Sequence, residues 1–309
     1  MVLHRLEQMM IEVVEKVVPS VVSVTITKLA ETQLSGVVPV KGQGSGVILT
    51  SEGHIVTNAH VVSGVQDVEV TIDDGRTYRA EIIGKSKVQD LAILKIDSGE
   101  FAPIEFAKSG GLKVGQFAIA VGHPLGLGAT ITFGVVSALE RTISNRQAFL
   151  EGLIQTSAQI NPGNSGGALV NTDGKLIGLP TAMIPWSQGI GFAIASDRIE
   201  DAFEEIIQTG TIATPWMGIM GATLNKGIAT HYKLSVNQGA LVLEVPQGPS
   251  RRAGLKSGDV ITAIDDNEIT GMQDLRAAIF KRSVGDNIDV VFYRGDEKQD
   301  VKVKLQSAP

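Results

Sequence analysis

Three residues in the first part of the chain carry side chains that together could cleave an acyl bond. Ser165 lies in the glycine-rich segment Asn-Pro-Gly-Asn-Ser-Gly-Gly at residues 161–167, His60 follows a short apolar run, and Asp90 directly precedes another. A serine hydroxyl is a weak nucleophile at neutral pH unless a base removes its proton, and that base needs a third group to fix its tautomer. The pattern therefore predicts Ser165 as the nucleophile, His60 as the base and Asp90 as the group that orients the base.

The glycines around Ser165 predict a second part of the same site. They allow the backbone to turn sharply and let a substrate carbonyl approach backbone N–H groups. We expect an oxyanion hole at Gly163, Asn164 and Ser165, with the N–H groups of Gly163 and Ser165 as its donors. Loss of one such donor typically lowers turnover by about 10² to 10³.

Each of these residues also has an ordinary interpretation. The glycine-rich segment could be a simple turn, and a single histidine is more often a surface or core residue than a catalytic one. The other histidines and the competing aspartates are assigned such ordinary roles: His4, His54, His123, His231, Asp67, Asp73, Asp74 and Asp97. The conjunction of three residue types favours catalysis, and the order His, Asp, Ser along the chain is that of the chymotrypsin arrangement.

Composition limits the remaining possibilities. A chain of 309 residues exceeds what one hydrophobic core usually serves, so two or more domains are expected. The hydrophobic fraction of 43% and the charged fraction of 19% are typical of a folded protein. A net charge of -6 with no cluster of Lys and Arg makes nucleic acid an unsuitable partner.

Neither a cofactor nor a metal is expected. The chain has no cysteine, and its five histidines are scattered without the spacing of metal ligands. The glycines at residues 42–46 lead into a strand and lack the Gly-Lys-Ser/Thr of a phosphate-binding loop.

The compartment stays open at this stage. Residues 1–18 interleave acidic and basic side chains and contain no apolar signal segment, so the sequence as given predicts a cytoplasmic protein. If a signal or anchor has been removed upstream, a periplasmic or other extracytoplasmic location is expected instead.

Two domains are predicted from the pattern of elements. Short β-branched runs punctuated by turn residues indicate strands of barrels or a sandwich at residues 21–27, 46–49, 68–72, 91–96, 117–121 and 131–137. A helix is predicted at residues 196–208, capped by Ser196 or Asp197, and residues 208–215 predict a linker. The first domain is accordingly placed at residues 1–211, with a helical segment at its start.

The second domain, residues 212–309, is predicted to be a small β/α unit. Its strands are expected at residues 218–223, 240–245, 259–264, 288–293 and 298–305. One helix is expected at residues 271–282, opened by a capping box of Thr270 and Gln273.

At these motifs the chain closely resembles the HtrA/Deg family of serine proteases, over nearly its whole length. The resemblance is carried by residues 42–47, 57–62, 90–95, 122–126, 155–167 and 189–194. It implies a mainly β fold, a chymotrypsin-like double β-barrel followed by one C-terminal PDZ domain. It also implies the same three roles for His60, Asp90 and Ser165. Ser157, Ala168 and residues 179–180 depart from the common family pattern, which affects specificity and the resting state more than the reaction.

The resemblance further implies the substrates and partners. An S1 pocket walled by Ile160, Ala182 and Met183 is apolar, so cleavage after small or medium aliphatic residues of unfolded or damaged proteins is expected. The PDZ domain is expected to bind peptide C-termini at an edge strand, through Trp216, Met217, Gly218, Ile219 and Met220. For the three methionines 217, 220 and 272, ordinary core packing is the alternative.

Regulation and assembly are also implied by the resemblance. Residues 140–152 resemble a sensor loop in which Arg141 relays a regulatory signal, and family members are generally trimers. The connection at residues 29–41 is too short to be a long inhibitory insertion. The amphipathic residues 6–18 could serve assembly or cap a barrel.

Two hypotheses for the whole chain follow. The leading one is an ATP-independent serine endopeptidase of protein quality control, which acts on misfolded proteins. Its PDZ domain recruits substrate C-termini or regulates the activity. The alternative is a holdase chaperone or peptide-binding scaffold with an inactive protease site, motivated by the substitutions at Ser157 and Ala168.

Overall fold

The chain divides into two compact units, Met1–Ile212 and Ala213–Pro309, so the boundary falls one residue beyond the predicted one. A computed structural model describes residues 2–32, 36–65, 67–97, 99–123, 128–144, 149–161, 163–183, 189–231 and 234–308. Each unit is described by itself.

The first half of unit one is a closed barrel of six strands. They are β1 (Val21–Thr32), β2 (Gly36–Ile48), β3 (His54–Thr57), β4 (Asp67–Thr71), β5 (Thr77–Ser86) and β6 (Leu91–Ile96), in the order β1-β2-β3-β6-β5-β4. β1 and β2 pair from Val21↔Val47 to Thr32↔Gly36, so most of the predicted connection at residues 29–41 is paired strand. Valine, isoleucine and leucine side chains fill the interior, as expected for β-branched strands in a barrel.

The second half of unit one is another closed barrel of six strands. They are β7 (Phe117–Gly122), β8 (Thr130–Ser144), β9 (Phe149–Thr156), β10 (Ala168–Val170), β11 (Leu176–Met183) and β12 (Gly191–Ala195), in the order β10-β11-β12-β9-β8-β7. The two barrels confirm the predicted mainly β double-barrel fold. A large hydrophobic cluster contains residues of both barrels, including Val47, Leu91, Ile119 and Val121, and therefore packs one barrel on the other.

Two helices complete unit one. α1 (Val2–Val17) buries Val13 and Val17 in the cluster shared by the barrels, so this amphipathic segment packs on its own chain. α2 (Ser196–Thr209) ends at Gly210, with φ 75°, as the sequence predicts. Its start differs from the prediction: the N-cap residue is Ala195, whose side chain cannot cap, and Ser196 Oγ donates to the Ala107 carbonyl at 2.6 Å. Of the helices described, none combines the length and apolarity needed to cross a bilayer.

Unit two is a sheet with short helices around it. Its elements are β13 (Pro215–Trp216), β14 (Met220–Leu224), α3 (Lys226–His231), β15 (Gly239–Glu244), α4 (Pro249–Arg252), β16 (Val260–Ile264), β17 (Asn267–Glu268), α5 (Met272–Phe280), β18 (Asn287–Arg294), β19 (Glu297–Lys304) and β20 (Gln306–Ser307). The main sheet has the order β14-β15-β16-β18-β19, which leaves β14 at an edge. α5 packs on β14 and β15, and its apolar residues join the core of this unit.

The predicted helix at residues 271–282 is α5, with shorter bounds. Gly271 is the N-cap residue, and the first N–H of the helix, that of Met272, donates to Thr223 Oγ1 on β14 at 3.0 Å, so the predicted partner Gln273 is not used. The N–H and hydroxyl of Thr270 both donate to Asp274 Oδ2, at 2.9 and 2.5 Å. The carboxylate one turn into the helix therefore ties down the chain that enters α5.

His54, in β3, links the first barrel to α2. Its ring packs edge-on against Phe203 with centroids 5.5 Å apart, and its Nδ1 lies 2.7 Å from Thr50 Oγ1. Burial, and next the nearby Lys95 ammonium, lower the pKa of His54 from 6.5, while Glu52 acts in the opposite direction. The unfolded chain then binds more protons than the folded one at acid pH, so this histidine costs stability as the pH falls through 6.5.

When the pH is lowered from about 7.5 to about 5.5, we expect the melting temperature of His54→Gln to fall less than that of the wild type, because glutamine does not titrate. Melting temperatures from calorimetry at several pH values measure this difference. His4→Gln is the matched control, since His4 is an exposed histidine on α1. An acid sensitivity of His54→Gln equal to that of the wild type would contradict the prediction.

Candidate active site

Pairing of β3 with β6 brings His60 and Asp90 together. Thr57, the last residue of β3, lies opposite Ala92 near the start of β6, so the turn after β3 passes beside Asp90. His60 Nδ1 is 2.8 Å from Asp90 Oδ2, and the His60 N–H donates to Asp90 Oδ1 at 2.9 Å. With an Nδ1–H donor on the carboxylate, Nε2 is the ring atom left to accept a proton.

The Asp90 carboxylate is held from several directions. Its side chain is only 13% exposed, against 50% for that of His60. The Asp90 backbone has φ 54°, a left-handed conformation that aspartate tolerates better than most residues. Its carbonyl accepts from the Ala59 N–H and from Asn58 Nδ2, both at 3.1 Å. The carboxylate is therefore fixed both through its backbone and through its oxygens.

Thr181 is a site residue that the sequence reasoning missed. Its hydroxyl, on β11 of the second barrel, donates to Asp90 Oδ2 at 2.5 Å. The only sequence signal is a hydroxyl residue inside the otherwise apolar run of β11. Because Thr181 belongs to the other barrel, this bond ties the orienting carboxylate of one barrel to a strand of its neighbour.

The structure brings Ser165 into the same cleft as His60. Both line a cleft of about 420 Å³, together with Ile160 and Thr181. No hydrogen bond joins Ser165 Oγ to another residue within the part of the chain that the structure describes. Such contacts are often long in a substrate-free site and tighten when substrate binds.

The backbone around Ser165 requires its glycines. Gly163 has φ 101° and Gly166 has φ 82°, which side chains rarely tolerate. A Cβ on Gly166 would lie 2.3 Å from the Ser45 carbonyl oxygen. The Gly166 N–H donates to the Pro180 carbonyl at 2.9 Å, which anchors the loop to β11.

The hydrogen bonds of this loop reduce the number of candidate donors in the predicted oxyanion hole. The Asn164 N–H already donates to the Asn161 carbonyl at 3.0 Å, so it is not free for a substrate. The N–H groups of Gly163 and Ser165 have no acceptor among the described residues. The N–H groups of Gly163 and Ser165 therefore remain as the candidate donors of the oxyanion hole.

Of the predicted S1 residues, the structure describes one side chain. Ile160 is buried and lines the cleft. Ala182 and Met183 lie at the end of β11, opposite Phe192 and Gly191, but their side chains fall outside the described part of the chain. A Cβ on Gly191 would meet Ile160 Cγ1 at 2.5 Å, so this glycine leaves room for the isoleucine.

Arg141 lies in a strand, which corrects the loop predicted at residues 140–152. β8 continues to Ser144 and β9 begins at Phe149, and Arg141 pairs with Leu153 across them. Arg141 Nε donates to Gln155 Oε1 at 3.0 Å. Residues 145–148 lie outside the described part of the chain.

The predicted PDZ residues have distinct environments. Trp216 pairs with Gln306 in the short sheet of β13 and β20, and Gly218 has φ 84°. Met217 is a core residue, and its carbonyl accepts from the N–H and hydroxyl of Ser250. Met220 is exposed and begins β14, so the predicted edge strand starts there and Ile219 lies just before it, partly buried.

Comparison with known proteins places this geometry in a family. The model of the trypsin-like peptidase domain matches residues 44–179, and that of the PDZ domain matches residues 215–305. The solved structure of the HtrA-type protease AlgW with a decapeptide is 32% identical, with a TM-score of 0.79 over 96% of this chain and 98% of that one. The chain belongs to the HtrA family of serine proteases.

Three other relatives are similar in sequence to this HtrA chain. A serine endoprotease from Yersinia pestis is 30% identical, with a TM-score of 0.72, and 96% of this chain and 97% of that one are covered. A probable periplasmic serine protease of Haemophilus influenzae, described as do/HhoA-like, is 41% identical over 86% of this chain. The periplasmic pH-dependent serine endoprotease DegQ of Escherichia coli is 40% identical over 87% of it. The matches span 59% and 60% of these two relatives' own lengths.

We expect Thr181→Val to slow the reaction of Ser165 with a fluorophosphonate by roughly tenfold. Loss of a hydrogen bond to a charged group costs about 1.5–3 kcal/mol. We expect part of this cost to raise the activation barrier of the reaction, because His60 is then less well oriented. Second-order labelling rates, measured on equal amounts of folded protein, test this.

Thr156→Val is the matched control for that experiment. Thr156 is also a buried threonine of the second barrel, and its hydroxyl donates to the Val135 carbonyl at 2.9 Å. It should lower stability with little change in the labelling rate. Equal labelling rates for both variants would show that Thr181 does not position Asp90.

Proposed function

We propose that this chain is a serine endopeptidase in which His60, Asp90 and Ser165 form the catalytic triad. The observation that carries the proposal is the 2.8 Å contact from His60 to a buried carboxylate, in the cleft that Ser165 also lines. Membership of the HtrA family supports the same conclusion.

The mechanism follows from the positions of the proton donors and acceptors in the site. Ser165 Oγ attacks the carbonyl carbon of the scissile bond while His60 Nε2 accepts its proton. The tetrahedral oxyanion accepts hydrogen bonds from the N–H groups of Gly163 and Ser165. His60 then gives the proton to the leaving amine, and a water molecule releases the acyl group by the same route in reverse. Asp90, held by Thr181, stabilises the imidazolium that forms in each step.

The composition of the cleft supports aliphatic specificity. Ile26, Val61 and Ile160 supply apolar surface, and none of the described residues that line the cleft carries a carboxylate. Substrate lysine or arginine would thus find no counter-charge there. We propose cleavage after small or medium aliphatic residues. Since such residues are mostly buried in native proteins, unfolded or damaged chains are the proposed substrates.

The edge position of β14 supports peptide binding by the PDZ domain. β14 pairs with β15 on one side only, and α5 packs beside it. An extended peptide can add to such an edge through main-chain hydrogen bonds. We propose that peptide C-termini bind along β14, with Gly218 in the loop that receives the carboxylate and Met220 exposed at the start of the strand.

An exposed apolar surface on the second barrel supports assembly. Phe117 on β7 and Phe133 on β8 are exposed with ring centroids 5.0 Å apart, Ile131 on β8 is exposed, and Val114 is exposed three residues before β7. Contiguous apolar surface of this kind marks interaction sites. We propose that this surface joins copies of the chain into a homo-oligomer, a trimer or a multiple of it. We also propose an extracytoplasmic location, because two relatives that match most of this chain are named periplasmic.

Wild-type protein should degrade casein, an unfolded model substrate, and Ser165→Ala should leave it intact. Mass spectrometry of the fragments should place most cuts after Ala, Val, Ile or Leu. A fluorophosphonate should label the wild type at Ser165. If casein stays intact and Ser165 is not labelled, the chain is a holdase or peptide-binding scaffold instead of a peptidase.

Phe117→Ser should shift the protein to a lower oligomeric state, because it replaces an exposed aromatic side chain by a polar one without opening the core. Light scattering after size-exclusion chromatography measures the mass. Val284→Ser, a change of another exposed apolar residue in unit two, serves as the control. A mass unchanged by Phe117→Ser would exclude this surface as the contact.

A further inference from the structure

Ser45 is a fully buried polar residue to which no catalytic step has been assigned. It lies on β2 of the first barrel, between Gly44 and Gly46. Its hydroxyl accepts a hydrogen bond from the His123 N–H at 2.7 Å and donates to the Gly163 carbonyl at 2.6 Å. The side chain of one barrel thereby contacts two separate segments of the second barrel.

The backbone of Ser45 adds two more contacts. Its N–H donates to the Ser165 carbonyl at 2.9 Å, and its carbonyl accepts from Thr57 Oγ1 at 2.7 Å. Ser45 thus holds the carbonyls of residues 163 and 165, on either side of Asn164. Gly166 permits this approach, since a Cβ at that position would lie 2.3 Å from the Ser45 carbonyl oxygen.

The bond to Gly163 controls the direction of a peptide plane. Because a peptide unit is planar, its carbonyl and the following N–H point in opposite directions. With the Gly163 carbonyl on Ser45, the Asn164 N–H is directed to the Asn161 carbonyl. Gly163, at φ 101°, has no Cβ to limit its rotation, so this plane needs an external anchor.

Asn164 does not provide that anchor through its side chain. It is buried, yet neither its Oδ1 nor its Nδ2 has a hydrogen-bond partner among the described residues. The side chain rests against Gly122, where a Cβ would lie 2.5 Å from Asn164 Oδ1. The Ser45 hydroxyl is consequently the polar contact that fixes the Gly163–Asn164 peptide from outside the loop.

We propose that Ser45 is a positioning residue of the reaction. Its hydroxyl fixes the Gly163–Asn164 peptide, which joins the two peptides that carry the N–H groups of Gly163 and Ser165, and it thereby keeps both N–H groups directed at the developing oxyanion. It touches neither substrate nor the reacting atoms. The inference rests on the proposed peptidase function, and it adds a determinant of the oxyanion hole that lies on the opposite barrel.

Ser45→Ala should lower kcat by roughly 10- to 100-fold with KM changed less than about threefold. This is smaller than the loss of a whole oxyanion donor, because the N–H groups remain and only their alignment suffers. Affinity for a peptide boronate, which forms a tetrahedral adduct, should weaken by the same factor as kcat. A merely structural role would lower the melting temperature without this coupled loss.

Ser196→Ala provides the matched control. Ser196 is also fully buried, and its hydroxyl donates to a backbone carbonyl over the same 2.6 Å. This variant should lose a comparable amount of stability and keep its kcat and boronate affinity. Ser45→Thr, which keeps the hydroxyl, should recover most of the kcat lost in Ser45→Ala.

Equal kcat and boronate affinity in Ser45→Ala and Ser196→Ala would overturn the inference while leaving the peptidase intact. Should Ser45→Ala fail to fold, Ser45→Cys keeps a side chain of similar shape with a weak donor. It must then show the same coupled fall in kcat and boronate affinity, or the inference is wrong. An inactive wild type that is indistinguishable from Ser165→Ala would instead remove the proposed function itself.

Discussion

The hydrogen bond between the His60 ring and the Asp90 carboxylate is the interaction on which the rest of the site depends. A buried carboxylate is costly unless its oxygens are satisfied, and here the His60 ring, the His60 N–H and the Thr181 hydroxyl satisfy them. The first two donors come from the turn after β3 and the third from the other barrel. The carboxylate therefore has all three donors only when both barrels are folded and packed together.

Sequence was sufficient for the fold class and the family, and it named the residues that the structure brings together, His60 beside Asp90 and in the cleft that Ser165 also lines. Glycine-rich turns beside a serine, and β-branched runs with regular punctuation, are local patterns that few other structures produce. Thr181 and Ser45 could not be found this way. Their partners lie 91 and 118 residues away, and a hydroxyl in an apolar strand does not reveal what it faces.

Errors in the sequence-based description have similar physical origins. Arg141 was assigned to a loop by resemblance to a family sensor loop, yet it lies in β8 and donates to Gln155 across the strand pair. For Met217, core packing was the alternative to a role in the binding loop, and its side chain does join the core while its carbonyl accepts a hydrogen bond from Ser250. Ser196 does not cap α2, because it is the first helical residue, and its hydroxyl donates to the Ala107 carbonyl. In each case the residue makes a tertiary contact that the local pattern does not reveal.

The placement of base and nucleophile on different barrels has a consequence for synthesis of the enzyme. His60 lies in the N-terminal barrel, whereas Ser165 lies between strands of the C-terminal one, and their common apolar cluster forms only from both. A nascent chain that has emerged only as far as β6 holds an imidazole and a carboxylate but no nucleophile. The proposed triad is therefore assembled only after the strands of both barrels have been synthesised and have packed together.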